Sequence, residues 1–203
     1  MNTRINYISD SWTRIKNHCR TTVNKKFTEN KPTEKFKEAL LISEHSPIRC
    51  LEVDWTWENL PYWVSTELSR HKHEKFISSQ RDDRNDNEIP RGKKPQESLV
   101  THDAYANAQN LIDMMRKRLC FMATKEAREA AENLKAELHN YESQLSDVLV
   151  PNCIYRAGCP EFETCGFWKK FKEKHPDVDM TDIRERYYTY NEDFYSKEWC
   201  LWQ

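Results

Sequence analysis

Hydrophobic and polar residues alternate most cleanly where Leu51, Val53, Trp55 and Trp57 are set against Glu52, Asp54, Thr56 and Glu58. A period of two puts each set on its own face, which predicts a strand with one side buried. Residues 4–8 are expected to form a short first strand. Elsewhere the period is helical. Trp12, Ile15, Cys19 and Val23 share a face, with Ser9 or Asp10 as the expected cap. Thr33 opens a second helix with Phe36, Ala39 and Leu40 on one side, ending at Glu44-His45-Ser46-Pro47. Asn59-Leu60-Pro61 opens a third, with proline in its first turn and Leu60, Trp63, Val64 and Leu68 as its stripe. The stretch 68–81, LSRHKHEKFISSQR, then reads as the second half of that helix and its exit. Residues 82–96 are a polar loop. From 99 to 149 the pattern is helical, with Leu111, Met114, Met115, Leu119, Met122, Ala123 and Ala127 on one side and Leu134 and Leu138 continuing it. After Pro151 the chain turns rich in cysteine and aromatic residues. The expected fold class is α+β: helix-rich, with a small sheet.

Composition narrows the function. At 203 residues the length suits one domain. Lys and Arg number 32 against 33 Asp and Glu, which argues against a general nucleic-acid coat. Aromatics at 12% argue against disorder. No run nears the roughly 18 apolar residues of a membrane span, and MNTRINYISDSW has no apolar signal core. A soluble protein of the cytoplasm (a host's, if the gene is viral) is expected. Seven cysteines, an odd number, suggest no disulfide framework. The three glycines, Gly92, Gly158 and Gly166, cannot build a glycine-rich phosphate loop, so any nucleotide must be held by side chains and helix ends.

Three places carry candidate chemistry. Arg70, His71 and Lys72 can offer donors to one anion, and Ser79 and Arg81 to a second phosphate, since the arginine fork donates two hydrogen bonds at once. The alternative is a solvated helix face with pairs four apart: Arg70, Glu74 and Ser78, or His71 and Lys75. His45, at its corner, is a ligand or a structural hydrogen-bonder. Asn107 and Arg118 lie three helical turns apart on one face; Arg118 either reaches inward to a ligand or snorkels from the core edge.

Taken together these pieces resemble the flavin-dependent thymidylate synthases, over about residues 33–140. That family has Arg-His-Arg, seven residues, then Ser-x-Arg; here Arg70-His71-Lys72 is followed after six residues by Ser79-Gln80-Arg81. The histidine corner, strand, proline and helix are matched in order by His45, residues 51–57 and Pro61. The downstream Asn, Arg and Ala-x-x-Glu-x-Arg are matched by Asn107, Arg118, Ala123, Glu126 and Arg128. Lys72 stands where the family has arginine, Glu67 where it often has glutamine, and Gln109 where it often has arginine.

The resemblance implies a catalytic domain over 1–150, with a small mixed or antiparallel sheet; a C-terminal extension over 151–203, outside the resemblance, is expected to pack on it. It implies synthesis of dTMP from dUMP, with methylenetetrahydrofolate as carbon donor, NADPH as reductant and FAD held between the subunits of a homotetramer. His45, Arg70, His71, Lys72 and Asn107 would contact the flavin. Glu67, Ser79, Gln80 and Arg81 would hold the nucleotide, with Arg118 facing the pyrimidine as the catalytic residue. No membrane or nucleic-acid partner is expected. Glu67 opens an alternative, dCMP as substrate or a hydroxymethylated product. A different class of protein is also open: a non-enzymatic module that grips nucleic acid through residues 70–81 and clips its tail with zinc. No metal is assigned. Cys153, Cys159 and Cys165 recur every six residues, wider than usual zinc spacing. They are candidates only with His175 or Cys200 as a fourth ligand, and otherwise small buried hydrophobes.

Overall fold

The computed structural model describes residues 1–84 and 89–196. Strand β1 (Asn2–Ile8) leads into helices α1 (Trp12–Thr22) and α2 (Glu34–Ile42), and a 3-10 turn over Ser46–Cys50 precedes strand β2 (Glu52–Pro61). Helix α3 (Tyr62–Leu68), strands β3 (Glu74–Ile77) and β4 (Leu99–Asn107), and helices α4 (Ala108–Arg118) and α5 (Lys125–His139) follow. The chain closes with α6 (Ser143–Asp147), α7 (Asn152–Arg156), α8 (Phe167–Lys174) and α9 (Ile183–Ser196). The class is α+β, helix-rich, with one four-stranded antiparallel sheet in the order β1-β2-β4-β3.

The alternation in β2 is realised as expected. Val53, Trp55 and Trp57 are fully buried on the inner face. The partner strand sets alanines opposite two of them, Ala106 against Val53 and Ala104 against Trp55, and His102 opposite Trp57. Helix α5 lies over this face, and the Trp57 indole Nε1 donates to the Ala130 carbonyl at 3.1 Å. Its Ala127, Ala130, Ala131, Leu134 and Leu138 form the buried stripe. On the outer face Thr56 Oγ1 donates to Asp103 at 2.6 Å, and the Asn6 amide, in the β1 irregularity, reaches Asp54 and Thr56 at 2.8 Å.

Several expectations need correction. Residues 99–107 are strand, not helix. Their alternation is masked because two of the inward residues, Ala104 and Ala106, are small helix formers and a third, His102, is polar. Helix α3 ends at Leu68, so the 68–81 stretch leaves the helix at its start and re-enters the sheet as β3. Arg70, Glu74 and Ser78, and likewise His71 and Lys75, therefore share no helix face. The cap residue of α1 is Ser11, without a side-chain capping bond, its hydroxyl lying 3.0 Å from Ser9 Oγ; Ser9 in turn accepts from the Glu52 N–H at 2.9 Å and ties β2 to the start of α1. Thr33 caps α2 as expected, accepting from Phe36 N at 3.2 Å. Val23, Ala39 and Met122, assigned to apolar faces, are exposed.

In the C-terminal region one arginine ties its own segments together, and another, from α4, reaches it. Buried Arg186 donates to three carbonyls, of Ile154 (2.8 Å), Met180 (2.7 Å) and Tyr155 (3.1 Å). Buried Arg116 pairs with Glu44 and stacks over the Tyr155 ring, 3.5 Å from its centre. Among the described residues no helix is long and apolar enough to cross a membrane.

Candidate functional site

The end of α3, the turn after it and the end of α4 meet at Arg118. Its Nε donates to His71 Nε2 at 2.6 Å, its Nη1 pairs with the Glu67 carboxylate, and its Nη2 reaches the Glu67 carbonyl at 3.4 Å. The other Glu67 oxygen accepts from Thr124 Oγ1 at 2.8 Å. Both Arg118 and Glu67 side chains are mostly buried, at 14% and 21% exposure. Because His71 Nε2 accepts a bond, its proton sits on Nδ1 and the ring is neutral. Burial, then the Arg118 charge, pull the His71 pKa down to about 4, against an opposing push from Glu67.

A second layer lies beneath. His102 is fully buried and His73 nearly so. Their Nε2 atoms face each other at 3.3 Å with the rings stacked, and Ser65 Oγ bonds His102 Nδ1 at 2.9 Å. Trp57 meets His102 edge-on, with ring centres 5.4 Å apart. Burial first, then neighbouring charge, hold both pKa values down at about 4. The pair is therefore an uncharged polar plug between the tryptophan core and the Arg70–Lys72 turn. His73, His102, Ser65 and Thr124 escape the sequence reading. The signal for His102 is its in-phase position in the β4 alternation.

The other expected residues are placed as follows. Arg70 and Lys72 are exposed, with no hydrogen bond or ion pair among the described residues. Asn107 spends its side-chain oxygen capping α4, accepting from Asn110 N at 3.0 Å. His45 is exposed at the head of the 3-10 turn. Gln109 donates to Glu44 at 2.7 Å. Beyond β3, Arg81 forms a two-pronged pair with Asp83 (2.8 and 2.6 Å), and Ser79 Oγ accepts from the Arg81 N–H at 3.2 Å. Gln80 is half-buried. So Glu67, His71 and Arg118 form one cluster, with Arg70 and Lys72 flanking it in sequence, while Arg81 pairs with Asp83 in its own segment. His175 is bonded to Asp193 at 2.8 Å, away from the cysteines, and Cys200 lies outside the described residues.

No family model and no curated protein sequence matches the chain. Solved structures do. A flavin-dependent thymidylate synthase from Helicobacter pylori, complexed with FAD and dUMP, superposes with a TM-score of 0.56 at 19% identity, over 74% of this chain and 100% of that one. The fold is that of the flavin-dependent thymidylate synthases. A second structure of the Helicobacter pylori enzyme with FAD and dUMP gives 0.55 at 18%, over 73% and 99%. The UMP/dUMP methylase PolB from Streptomyces cacaoi, bound with 5-Br dUMP, gives 0.57 at 12%, over 72% and 93%. On that fold, the fixed guanidinium of Arg118 and the exposed cations Arg70 and Lys72 are groups suited to anionic or carbonyl ligands.

Proposed function

We propose that the chain is a flavin-dependent enzyme acting at C5 of a pyrimidine nucleotide, and that it converts dUMP to dTMP with methylenetetrahydrofolate and NADPH. The observation that carries this is Arg118, oriented by three bonds from Glu67 and His71, in a fold shared with enzymes that bind FAD and dUMP.

The residues suit a flavin in two respects. Arg70 and Lys72 have no ion pair among the described residues and are open to a diphosphate. His71 between them is neutral and so does not require an anion of its own. A bound reduced flavin supplies hydride; the side chains do the rest. Arg118 donates to the pyrimidine carbonyl oxygen where negative charge develops as C5 attacks. Glu67 and Thr124 fix its plane. Ser79, Gln80 and Arg81 take the nucleotide phosphate, with Arg81 exchanging the Asp83 carboxylate for a more highly charged partner. His45 and Asn107 lie on the flavin and folate side. Subunits of a cytoplasmic homotetramer bring the 79–81 segment and the Arg118 cluster of different copies to one site.

Glu67 supports a second reading of the substrate. A carboxylate beside Arg118 accepts from the 4-amino group of cytosine as readily as from N3–H of uracil. dCMP is therefore the competing substrate, and a hydroxymethyl group the competing product. The test is mass spectrometry of the nucleotide after incubation with FAD, NADPH and methylenetetrahydrofolate. Methylation of dUMP alone supports the proposal, modification of dCMP replaces the substrate, and no modified nucleotide in either tube overturns the activity.

A further inference from the structure

Two segments distant in sequence, which together carry four of the seven cysteines, pack against each other. Cys120 follows the end of α4, Cys153 lies in α7, and Cys159 and Cys165 sit on residues 157–166, which form no helix or strand. Contacts that do not involve the thiols hold this segment against the end of α4. Lys117 Nζ lies 3.2 Å from Glu161 Oε1, Phe121 stacks on Phe167 with centres 4.9 Å apart, and Gly158 N donates to Cys153 O at 3.0 Å. Lys117 and Phe121 flank Cys120, and Glu161 and Phe167 flank Cys159 and Cys165, so each staple joins neighbours of different cysteines. The thiols also act on one another. Cys120 is raised by burial first and then by Cys165, Glu161 and Cys159, and Cys153 by burial first and then by Cys120, Cys165 and Cys159.

Packing alone accounts for Cys153, which is buried, but not for the others. Cys120 and Cys159 are half-buried and Cys165 is exposed, all as free thiols. The segment around them has little core to hold it: Phe162 is fully exposed, and Glu163 and Thr164 are exposed too. Ordering ten such residues costs about 1–2 kcal/mol each in backbone entropy, a cost that coreless segments usually meet with a staple.

We propose that Cys120, Cys153, Cys159 and Cys165 form a tetrathiolate site for zinc that locks residues 157–166 onto the end of α4. Four soft sulfur ligands select a tetrahedral zinc ion. On binding, four S–H bonds give way to four Zn–S bonds and four protons leave to solvent, with no change of oxidation state. Among the described residues no three His, Cys, Asp or Glu side chains are already grouped to hold a metal, so the site closes on binding. Movement of the 157–166 segment brings the sulfurs to Zn–S distances of about 2.3 Å. The turns at Ala157 (φ 53°) and Gly166 (φ 82°) bound that segment. Cys120 takes the place that sequence spacing offered to His175 or Cys200. The inference does not depend on the flavin reading.

The test is zinc content by mass spectrometry after zinc loading, with Co2+ titration as a spectroscopic probe, on the full chain and on Cys165→Ser, Cys159→Ser and Cys19→Ser. The expected result is one zinc per chain, thiolate-to-cobalt charge transfer with tetrahedral visible bands, and loss of both in the first two variants but not in Cys19→Ser. Cys165 is exposed, so its replacement leaves folding intact even if a Cys153 variant does not fold. Substoichiometric zinc without cobalt bands, full zinc retention in Cys165→Ser, or an iron–sulfur chromophore in its place would each overturn the site.

Discussion

Arg118 and Arg81 are two arginines of one proposed site, held in opposite ways. Arg118 is mostly buried and bonded to two other elements of the fold, through Glu67 of α3 and His71 of the turn after it. Arg81 is exposed, and the pair it makes is with Asp83, two residues along. The first is fixed before any ligand arrives, as a group meant to stabilise developing charge must be. The second can be recruited, since an exposed pair is worth only about 0–1 kcal/mol and is readily exchanged.

The largest effect that would break this comparison is on catalysis. Arg118→Ala should lower kcat by about 10²–10³-fold, the usual cost of one missing oxyanion donor, while FAD remains bound. Loss of flavin with intact turnover per bound flavin would move Arg118 into cofactor binding. It should also destabilise the fold, because Glu67 is left with Thr124 alone.

Arg81→Ala should leave the urea midpoint unchanged and weaken nucleotide binding by about 10–100-fold, from a lost charged contact of about 1.5–3 kcal/mol. Calorimetric titration with dUMP measures it, and unaltered affinity would remove Arg81 from the phosphate site.

The buried histidines sharpen the contrast through pH. His71, His73 and His102 titrate near 4 in the fold against 6.5 for a free imidazole. The unfolded chain therefore takes up protons first as pH falls. Stability is full above about 6.5 and declines progressively toward 4. Urea midpoints at pH 7.5, 6 and 5 should fall in that order, with a shallower decline in His102→Gln. An equal slope in that variant would place the acid sensitivity elsewhere.

The smallest effect is expected from Thr124→Val, which removes one bond to Glu67. A few-fold loss in kcat with unchanged nucleotide affinity marks a positioning role. An effect as large as that of Arg118→Ala would mean that Thr124 touches the substrate.

What the sequence disclosed follows from how strongly each segment is forced. Trp55 and Trp57 are large, and their alternation can serve only a buried strand face, so β2 was legible. β4 was not, because Ala104, opposite Trp55, and Ala106, opposite Val53, are small and read as helix formers. That one misreading hid His102, and with it the histidine pair. The turn at 69–73 was obscured by charged residues compatible with a helix face. Only its pairing with β4 through Glu74 and Tyr105 shows the chain returning to the sheet. Motif order singled out Arg118 and His71, whose side chains are bonded to each other. It could not foresee that Glu67 would occupy the Arg118 guanidinium, since that contact joins residues 51 apart.

The central claim is that the Arg118 cluster and the Arg70–Arg81 stretch serve a flavin and a nucleotide together. The most direct measurement is the absorption spectrum of the protein titrated with FAD and then with dUMP. A saturable flavin band that dUMP perturbs in the wild type, and that dUMP perturbs far less in Arg81→Ala, is the predicted result. Absence of flavin uptake at any FAD concentration, in protein shown to be folded, would contradict it.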